Sequence, residues 1–223
     1  MHEHHEHHDH PKQPDQVYFK RLLSERNQHP ERAPEIDALV HEAFGRTVAI
    51  LALDMCGFSR LTAKYGIMHF LAMIHQMDQA ARPAVIANGG QVIKQEADNL
   101  FAIFAEPAHA LEAALDIFRG FDAMNAVLPE ERDIYGSIGI GYGDTLIIED
   151  RDLFGSEMNV ACKLGEDLAE KMEILLTPAA LDALPQGRYV LSAKSFSISG
   201  MDILCHRYES SVFPRLPLEL TGD

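Results

Sequence analysis

The chain has 223 residues, 47% of them hydrophobic and 24% charged, which is typical of one globular domain with a lead-in segment. Its 34 acidic residues outnumber its 19 basic residues, and the resulting net charge of −15 disfavours binding to nucleic acid. The three cysteines form no CxxC pair and no apolar stretch approaches the roughly 20 residues that span a bilayer, so we expect a cytoplasmic protein without a membrane span.

The N-terminus is rich in histidine. Residues 1–16 hold six of the chain's twelve histidines, interleaved with acidic residues and prolines, and this composition predicts a disordered tail. Imidazoles at this spacing can collect Zn²⁺, Ni²⁺ or Cu²⁺, so we expect adventitious transition-metal binding; a physiological metal-sensing role is the less favoured alternative. Apolar residues in 17–24 and 34–44 predict two short helices, which make residues 17–46 a helical lead-in.

The next segments alternate between strand and helix signals. Residues 47–54 are a continuous Val, Ile and Leu run, as expected of a buried central strand. A helical spacing of apolar residues follows and should end at Asn88-Gly89-Gly90. The runs 91–96 and 100–104 flank the turn pair Asp98-Asn99 and predict a hairpin, and Pro107 opens a second amphipathic helix.

The remaining pattern defines the fold class. Residues 134–141 and 145–148 are predicted as a strand pair broken by Gly141 and Gly143. The order strand, helix, hairpin, helix, strand is the βαββαβ arrangement of a ferredoxin-like antiparallel sheet, an α+β fold with helices on one face. We assign residues 47–208 to this domain and 209–223 to a C-terminal tail. A C-terminal αβ extension within the domain has a helix at 157–169, a strand at 173–176, a short helix at 178–184 and a β region to 208.

Four stretches of this frame together form a recognisable pattern. They are LALDMCGFSRLT (51–62), GGQVIKQEADNLFAIF (89–104), SIGIGYGD (137–144) and DLFGSEMNVACKLGEDLA (152–169). In this order they resemble the catalytic domain of the class III nucleotidyl cyclases, the family of adenylyl and guanylyl cyclases, and the predicted strand order agrees with the fold of that family. The resemblance implies an adenylyl cyclase that converts ATP to 3′,5′-cyclic AMP and pyrophosphate in intracellular signalling.

Two aspartates are the candidate metal ligands. Asp54 ends the central strand and Asp98 lies at the hairpin tip, so antiparallel pairing can bring their carboxylates together. Cyclisation builds negative charge on the attacking and leaving oxygens, which two divalent ions about 4 Å apart would stabilise. The resemblance implies that Asp54 and Asp98 bind two Mg²⁺ or Mn²⁺ ions per site. A strand-end cap and a turn residue are their alternative roles.

The turn after the metal strand is the candidate phosphate site. Its backbone N–H groups and the positive end of the following helix dipole can receive a triphosphate, although an ordinary strand-to-helix turn has the same pattern. The turn consists of Cys56, Gly57, Phe58 and Ser59.

Lys94 and Asp152 occupy the positions of the family's base-selecting pair. A Lys ammonium matches the N1 acceptor of adenine and an Asp carboxylate matches its N6 donor, whereas guanine presents the reverse pattern. The resemblance therefore implies ATP rather than GTP. An exposed strand lysine and a loop carboxylate are the alternative interpretations.

Asn159 and Lys163 lie four residues apart on a predicted helix and share a face. The resemblance implies that Asn159 orients the ribose. At position 163 the family has an Arg that stabilises transition-state charge, and Lys163 keeps the charge but lacks the planar donor fork. Ala97, where the family commonly has Gly, is a smaller departure. A weakly active or inactive nucleotide-binding signalling module is therefore the alternative function.

The resemblance also implies the assembly. In the family, the metal aspartates of one protomer face the base-selecting, Asn and Arg positions of the other. A single chain that carries all of these groups implies a homodimer with two equivalent sites at the interface.

Overall fold

A computed structural model describes residues 14–198 and 201–212, and its centre is an eight-stranded sheet in the order β2-β3-β1-β4-β6-β8-β7, with β5 paired to β4. The predicted histidine-rich segment therefore lies outside the described residues, apart from residues 14–16. The strands are β1 (Gly45–Met55), β2 (Gln91–Glu96), β3 (Asn99–Phe104), β4 (Gly136–Ile148), β5 (Asp152–Phe154), β6 (Ile174–Leu176), β7 (Tyr189–Ile198) and β8 (Met201–Ser211).

Helices cover both faces of this sheet. None of those in the described ranges combines the length and hydrophobicity needed to cross a bilayer. They are α1 (Gln16–Gln28), α2 (Ala33–Phe44), α3 (Phe58–Tyr65), α4 (Ile67–Ala87), α5 (Pro107–Asn125), α6 (Ser156–Lys163) and α7 (Pro178–Asp182), with 3-10 turns at Pro30–Arg32 and Glu130–Arg132 and a π-helical turn at Leu164–Leu168.

The ferredoxin-like arrangement is confirmed. Strands β1 to β4 lie in the order β2-β3-β1-β4, and α4 and α5 pack on one face of them over Leu51, Leu53 and Leu100. The C-terminal extension supplies α6, which covers the opposite face at Ile50 and Ala52. This second face carries the side chains of alternate β1 residues, and Asp54 continues that alternation at the strand end.

The prediction of a broken strand pair at 134–148 is wrong. Strand β4 runs without interruption over 13 residues and pairs with β1 from Gly136 to Leu146. The glycines permit close helix packing instead of a turn: a Cβ on Gly139 would lie 2.0 Å from the Ala161 carbonyl oxygen, and one on Gly141 would lie 2.7 Å from the Glu157 carbonyl oxygen. Helix α6 can approach the sheet only because these positions lack side chains.

The predicted 157–169 helix changes character after Lys163. The α-helical hydrogen bonding gives way to the π-helical turn, in which Gly165 packs against the sheet. A Cβ on Gly165 would lie 2.7 Å from the Ala52 carbonyl oxygen, and Ser137 Oγ donates a 2.7 Å hydrogen bond to the Gly165 carbonyl. These contacts hold the turn against the end of β1 that carries Asp54.

The lead-in helices pack on the β4–β5 hairpin. Leu22, Val40 and Phe44 form a small core with Ile148 of β4. The ring of Phe19 stacks on that of Phe154 in β5, with centroids 6.2 Å apart and planes 18° apart. The lead-in is thus in direct contact with the strand on which Asp152 lies.

Candidate active site

Asp54 and Asp98 come together at the end of the β1–β3 ladder. Asp54 is the last β1 residue paired with β3, and its Cα partner is Asn99, the residue after Asp98. The Met55 amide donates a 3.1 Å hydrogen bond to the Asp98 carbonyl, which closes the hairpin tip onto β1. The neighbouring Ala97 has a positive φ of 51°, a conformation that favours glycine.

The carboxylates at this sheet end repel one another. Burial raises the pKa of Asp54 to about 7, and neighbouring carboxylates add to that rise. Burial also raises the pKa of Asp98. The neighbours that act on Asp54 are Asp98, Glu166 and Asp167. Such a cluster favours a bound cation.

A hard divalent cation fits these residues. The Asn99 side-chain oxygen is buried beside them without a hydrogen-bond partner, and a cation would satisfy it. Within the described ranges no group of three or more His, Cys, Asp or Glu side chains has the spacing of a metal site. A cation held at Asp54 and Asp98 therefore needs further ligands, such as water or phosphate oxygens.

The turn after Asp54 has the predicted form. Gly57 adopts a left-handed conformation with φ of 83° and precedes α3, whose N-terminus has no side-chain cap. The Cys56 amide donates a 2.8 Å hydrogen bond to the Tyr135 carbonyl, which anchors the turn on the opposite side. Gly57 has no side chain to cap α3, so the backbone N–H groups of Phe58 and Ser59 in its first turn can bind an anion.

Lys94 and Asp152 lie close together although 58 positions separate them in the chain. The Lys94 ammonium is 3.5 Å from the Asp152 carboxylate and 3.0 Å from that of Glu96. It also lies 5.5 Å from the centre of the Phe101 ring. The two residues that the sequence paired are thus adjacent, on β2 and β5, with an aromatic surface beside them.

Asn159 and Lys163 lie on α6, four residues apart. Asn159 is exposed, and the Lys163 ammonium forms a 2.5 Å ion pair with Asp167 in the π-helical turn. The cation at the family's arginine position is therefore engaged by a carboxylate of its own chain.

Two curated proteins that are similar in sequence to this chain are named adenylate cyclases. The chain is 34% identical over 125 residues to putative adenylate cyclase 3 of Rhizobium meliloti (strain 1021), a match that spans 56% of this chain and 21% of the relative. It is 26% identical over 147 residues to an adenylate cyclase of Streptomyces coelicolor, across 66% of this chain and 36% of the relative. No family model matches the chain.

A solved structure extends the comparison to the fold. An adenylate/guanylate cyclase/hydrolase from Silicibacter pomeroyi is 26% identical, with a TM-score of 0.59 over 74% of this chain and 96% of that structure. The predicted resemblance to class III cyclase catalytic domains and the predicted fold are thereby confirmed. The chain spans about a fifth and about a third of the length of the two curated relatives.

The site contains nearby residues that the sequence analysis did not single out. Glu166 and Asp167 follow Lys163 on the π-helical turn and act electrostatically on Asp54. Burial and the carboxylates of Asp167 and Asp98 raise the pKa of Glu166. The i,i+4 spacing of Lys163 and Asp167 was a usable signal for their ion pair. Nothing local indicated the approach of Glu166 to Asp54, because the π-helical turn and the packing of Gly165 produce it.

Proposed function

We propose that this domain is an adenylyl cyclase that converts ATP to 3′,5′-cyclic AMP and pyrophosphate in a homodimer. The observation that carries this proposal is the meeting of Asp54 and Asp98 beside an uncapped helix N-terminus within a class III cyclase fold. The names of both curated relatives, adenylate cyclases, support the choice of reaction.

Asp54 and Asp98 would hold two Mg²⁺ or Mn²⁺ ions. When bound, such ions stabilise the negative charge on the attacking ribose 3′-oxygen and on the pyrophosphate that leaves the α-phosphorus. The backbone N–H groups after Gly57 receive phosphate oxygens of the substrate, and the glycine lets the chain pass close to them. The two aspartates would hold the ions beside this turn, where the ions could bind phosphate oxygens.

Lys94 and Asp152 select adenine. The ammonium donates to N1 and the carboxylate accepts from the N6 amino group, so guanine would leave both groups unpaired. Their separation of 3.5 Å in the free chain means that each is already held near the other before a base arrives. Lys94 must give up part of its contact with Glu96 to engage the base.

Asn159 orients the ribose, and Lys163 stabilises charge at the α-phosphate in the transition state. Each acts on the substrate that is bound at the aspartates of the other subunit. A lysine offers one point of charge where an arginine would offer a planar fork. The Lys163 ammonium must break its ion pair with Asp167 before it can contact the α-phosphate.

A weakly active, nucleotide-binding signalling module is the second candidate. It is favoured by the Lys163–Asp167 ion pair, which holds the catalytic cation on its own helix. Both candidates predict ATP binding, and they differ in the rate of cyclic AMP formation.

The test is to incubate the purified chain with ATP or GTP and with Mg²⁺ or Mn²⁺, and to quantify cyclic nucleotide by mass spectrometry. We expect cyclic AMP from ATP, and at least about a hundredfold less from Asp54→Ala or Asp98→Ala. Asp182→Ala, an exposed aspartate on α7, is the matched control and should retain full activity. Near-normal turnover in either site variant would exclude the proposed metal site, and ATP binding without product would favour the signalling module.

A further inference from the structure

Asn99 presents an unsatisfied polar atom at the candidate metal site. Within the described ranges, two buried side-chain nitrogen or oxygen atoms have no hydrogen-bond partner, His69 Nε2 and Asn99 Oδ1. His69 lies on α4 with its ring 4.7 Å from that of Tyr65. Asn99 instead begins β3, directly opposite Asp54.

The strand register brings the Asn99 and Asp54 side chains close together. The Met55 amide bonds to the Asp98 carbonyl, one residue beyond the pair on each strand, so Asp54 and Asn99 form a non-hydrogen-bonded pair. Cα atoms in such pairs are about 4.5 Å apart and their side chains are closest. Both residues follow the alternation that points Ala52 and Phe101 toward the α6 face.

The ionisable side chains at this sheet end are hydrogen-bond acceptors when charged. No side chain or backbone group in the described ranges donates to the Asn99 oxygen, and an ionised carboxylate could not donate to it. An unpaired buried carbonyl destabilises the folded chain. A positively charged partner would remove this cost and the carboxylate repulsion together.

We propose that Asn99 Oδ1 is a third side-chain ligand, directly or through one water, of a divalent cation held by Asp54 and Asp98. This inference rests on the metal site of the proposed function. Hard divalent cations bind the neutral amide oxygen of asparagine as well as carboxylate oxygens. An amide ligand also adds no negative charge to a site that already has several carboxylates. The opposite amide orientation, with Nδ2 donating to Asp54, would make Asn99 a positioning residue instead.

Metal titration without nucleotide separates these roles. We would measure Mn²⁺ binding to the full chain by calorimetry and by electron paramagnetic resonance of free Mn²⁺. Asn99→Ala should weaken binding roughly tenfold to a hundredfold, the range typical of residues that support a metal site. Asn99→Asp keeps the oxygen and should bind at least as tightly as the parent chain. Gln91→Ala and Gln91→Asp, at the exposed far end of the same hairpin, should bind like the parent chain.

Two results would overturn the inference. Equal Mn²⁺ affinity in Asn99→Ala and the parent chain would show that the oxygen is no ligand. Weaker binding in Asn99→Asp than in the parent chain would assign the amide N–H the important contact, and this variant decides alone if Asn99→Ala does not fold.

A separate control keeps the metal site itself testable. Asp54→Asn and Asp98→Asn should each abolish the Mn²⁺ binding assigned to this site, and the histidine-rich tail, which every variant shares, sets the common background. If they do not, Asp54 and Asp98 are not the metal ligands, and both the proposed function and the role of Asn99 are contradicted. If they do, and Asn99→Ala binds normally, only the Asn99 assignment is lost.

Discussion

Individual residues at the end of β1 favour binding over stability. Asp54 lies among carboxylates that raise its pKa, and Ala97 holds a left-handed backbone conformation next to Asp98. Either feature destabilises the metal-free chain, and both lie beside the atoms that would touch a cation. Destabilised residues of this kind are concentrated at functional sites.

The Asp54 carboxyl makes the stability of the metal-free chain depend on pH. Its pKa is about 7 in the folded chain against an ordinary 3.8, so the unfolded chain releases a proton that the folded chain retains between these values. The free energy of unfolding should therefore fall by about 1–2 kcal/mol, after solvent screening, as pH rises from about 4 to about 7. Asp54→Asn should reduce this slope in urea titrations, because only the raised pKa values of Asp98 and Glu166 then remain, whereas Asp182→Asn should keep it in full. Identical slopes in Asp54→Asn and the parent chain would contradict the assignment.

Ala97 offers a second test at this scale. Because its φ is 51°, replacement by glycine relieves steric strain, and Ala97→Gly should raise the free energy of unfolding by about 1 kcal/mol. The same change at Ala63, within the exposed part of α3, should lower it by a similar amount. Thermal unfolding of both variants measures the difference, and destabilisation by Ala97→Gly would show that the turn tolerates alanine without strain.

Lys163 is the residue on which the predicted rate depends. Lys163→Ala should lower kcat about 30- to 150-fold with little change in KM, because one charge-assisted contact in the transition state is lost. Lys163→Arg should equal or exceed the parent rate. Asp167→Asn should raise kcat by at most about fivefold, since it removes an exposed ion pair. Asp78→Asn, which removes the corresponding i,i+4 pair with Arg82 on α4, is the matched control in steady-state kinetics. An unchanged kcat in Lys163→Ala would make this lysine a surface residue.

At the scale of elements, the site depends on how α1 and α6 pack on the sheet. Helix α6 approaches β4 through glycines and delivers the π-helical turn to Asp54. Helix α1 packs against β5 from the other side, with Phe19 between Phe44 and Phe154. Strand β5 has only three residues, so its position depends strongly on that support.

The contact of Phe19 with β5 predicts an effect on base recognition. Phe19→Ala should destabilise the chain by about 1–3 kcal/mol and raise the KM for ATP several-fold with little change in kcat, because Asp152 lies on the strand it supports. Val17→Ala, at a position on the same helix that is 75% exposed, should change neither quantity. Steady-state kinetics below the melting temperature provide the measurement. An unaltered KM in a destabilised Phe19→Ala variant would show that the lead-in helices do not affect base recognition.

At the scale of the whole molecule, the proposed reaction needs two chains. The net charge of −15 disfavours an anionic substrate over most of the surface, so the cations at Lys94 and Lys163 and the bound metal must reverse the field locally. The proposed shared site would bring these cations of one chain to the aspartates of the other.

Subunit mixing tests that geometry. A chain with Asp54→Ala and Asp98→Ala, mixed with a chain that carries Asn159→Ala, should form heterodimers in which one of two sites has every group intact. Random exchange then predicts about a quarter of the parent activity, whereas each variant alone stays inactive. No recovery after mass spectrometry has verified subunit exchange would contradict the shared site.

Local sequence signals were sufficient to predict the central strands of the sheet and the two aspartates of the candidate site. Apolar periodicity and turn residues identified β1, the β2–β3 hairpin and α5 at nearly their observed bounds. The neighbouring positions of Asp54 and Asp98 follow from these signals, because a hairpin tip beside a strand end is set by short-range pairing. The resemblance to the cyclase family supplied the pairing of Lys94 with Asp152, which no local pattern contains.

Tertiary packing alone decided the rest. A glycine in a sequence is compatible with a turn and also with close packing of another element. The continuity of β4 through Gly141 and Gly143 therefore could not be predicted without the position of α6. The approach of Glu166 to Asp54 and the unsatisfied oxygen of Asn99 likewise depend on contacts between distant segments. Sequence patterns report the periodicity of one element, whereas the distance between two charges depends on how separate elements pack, and that is a property of the folded chain.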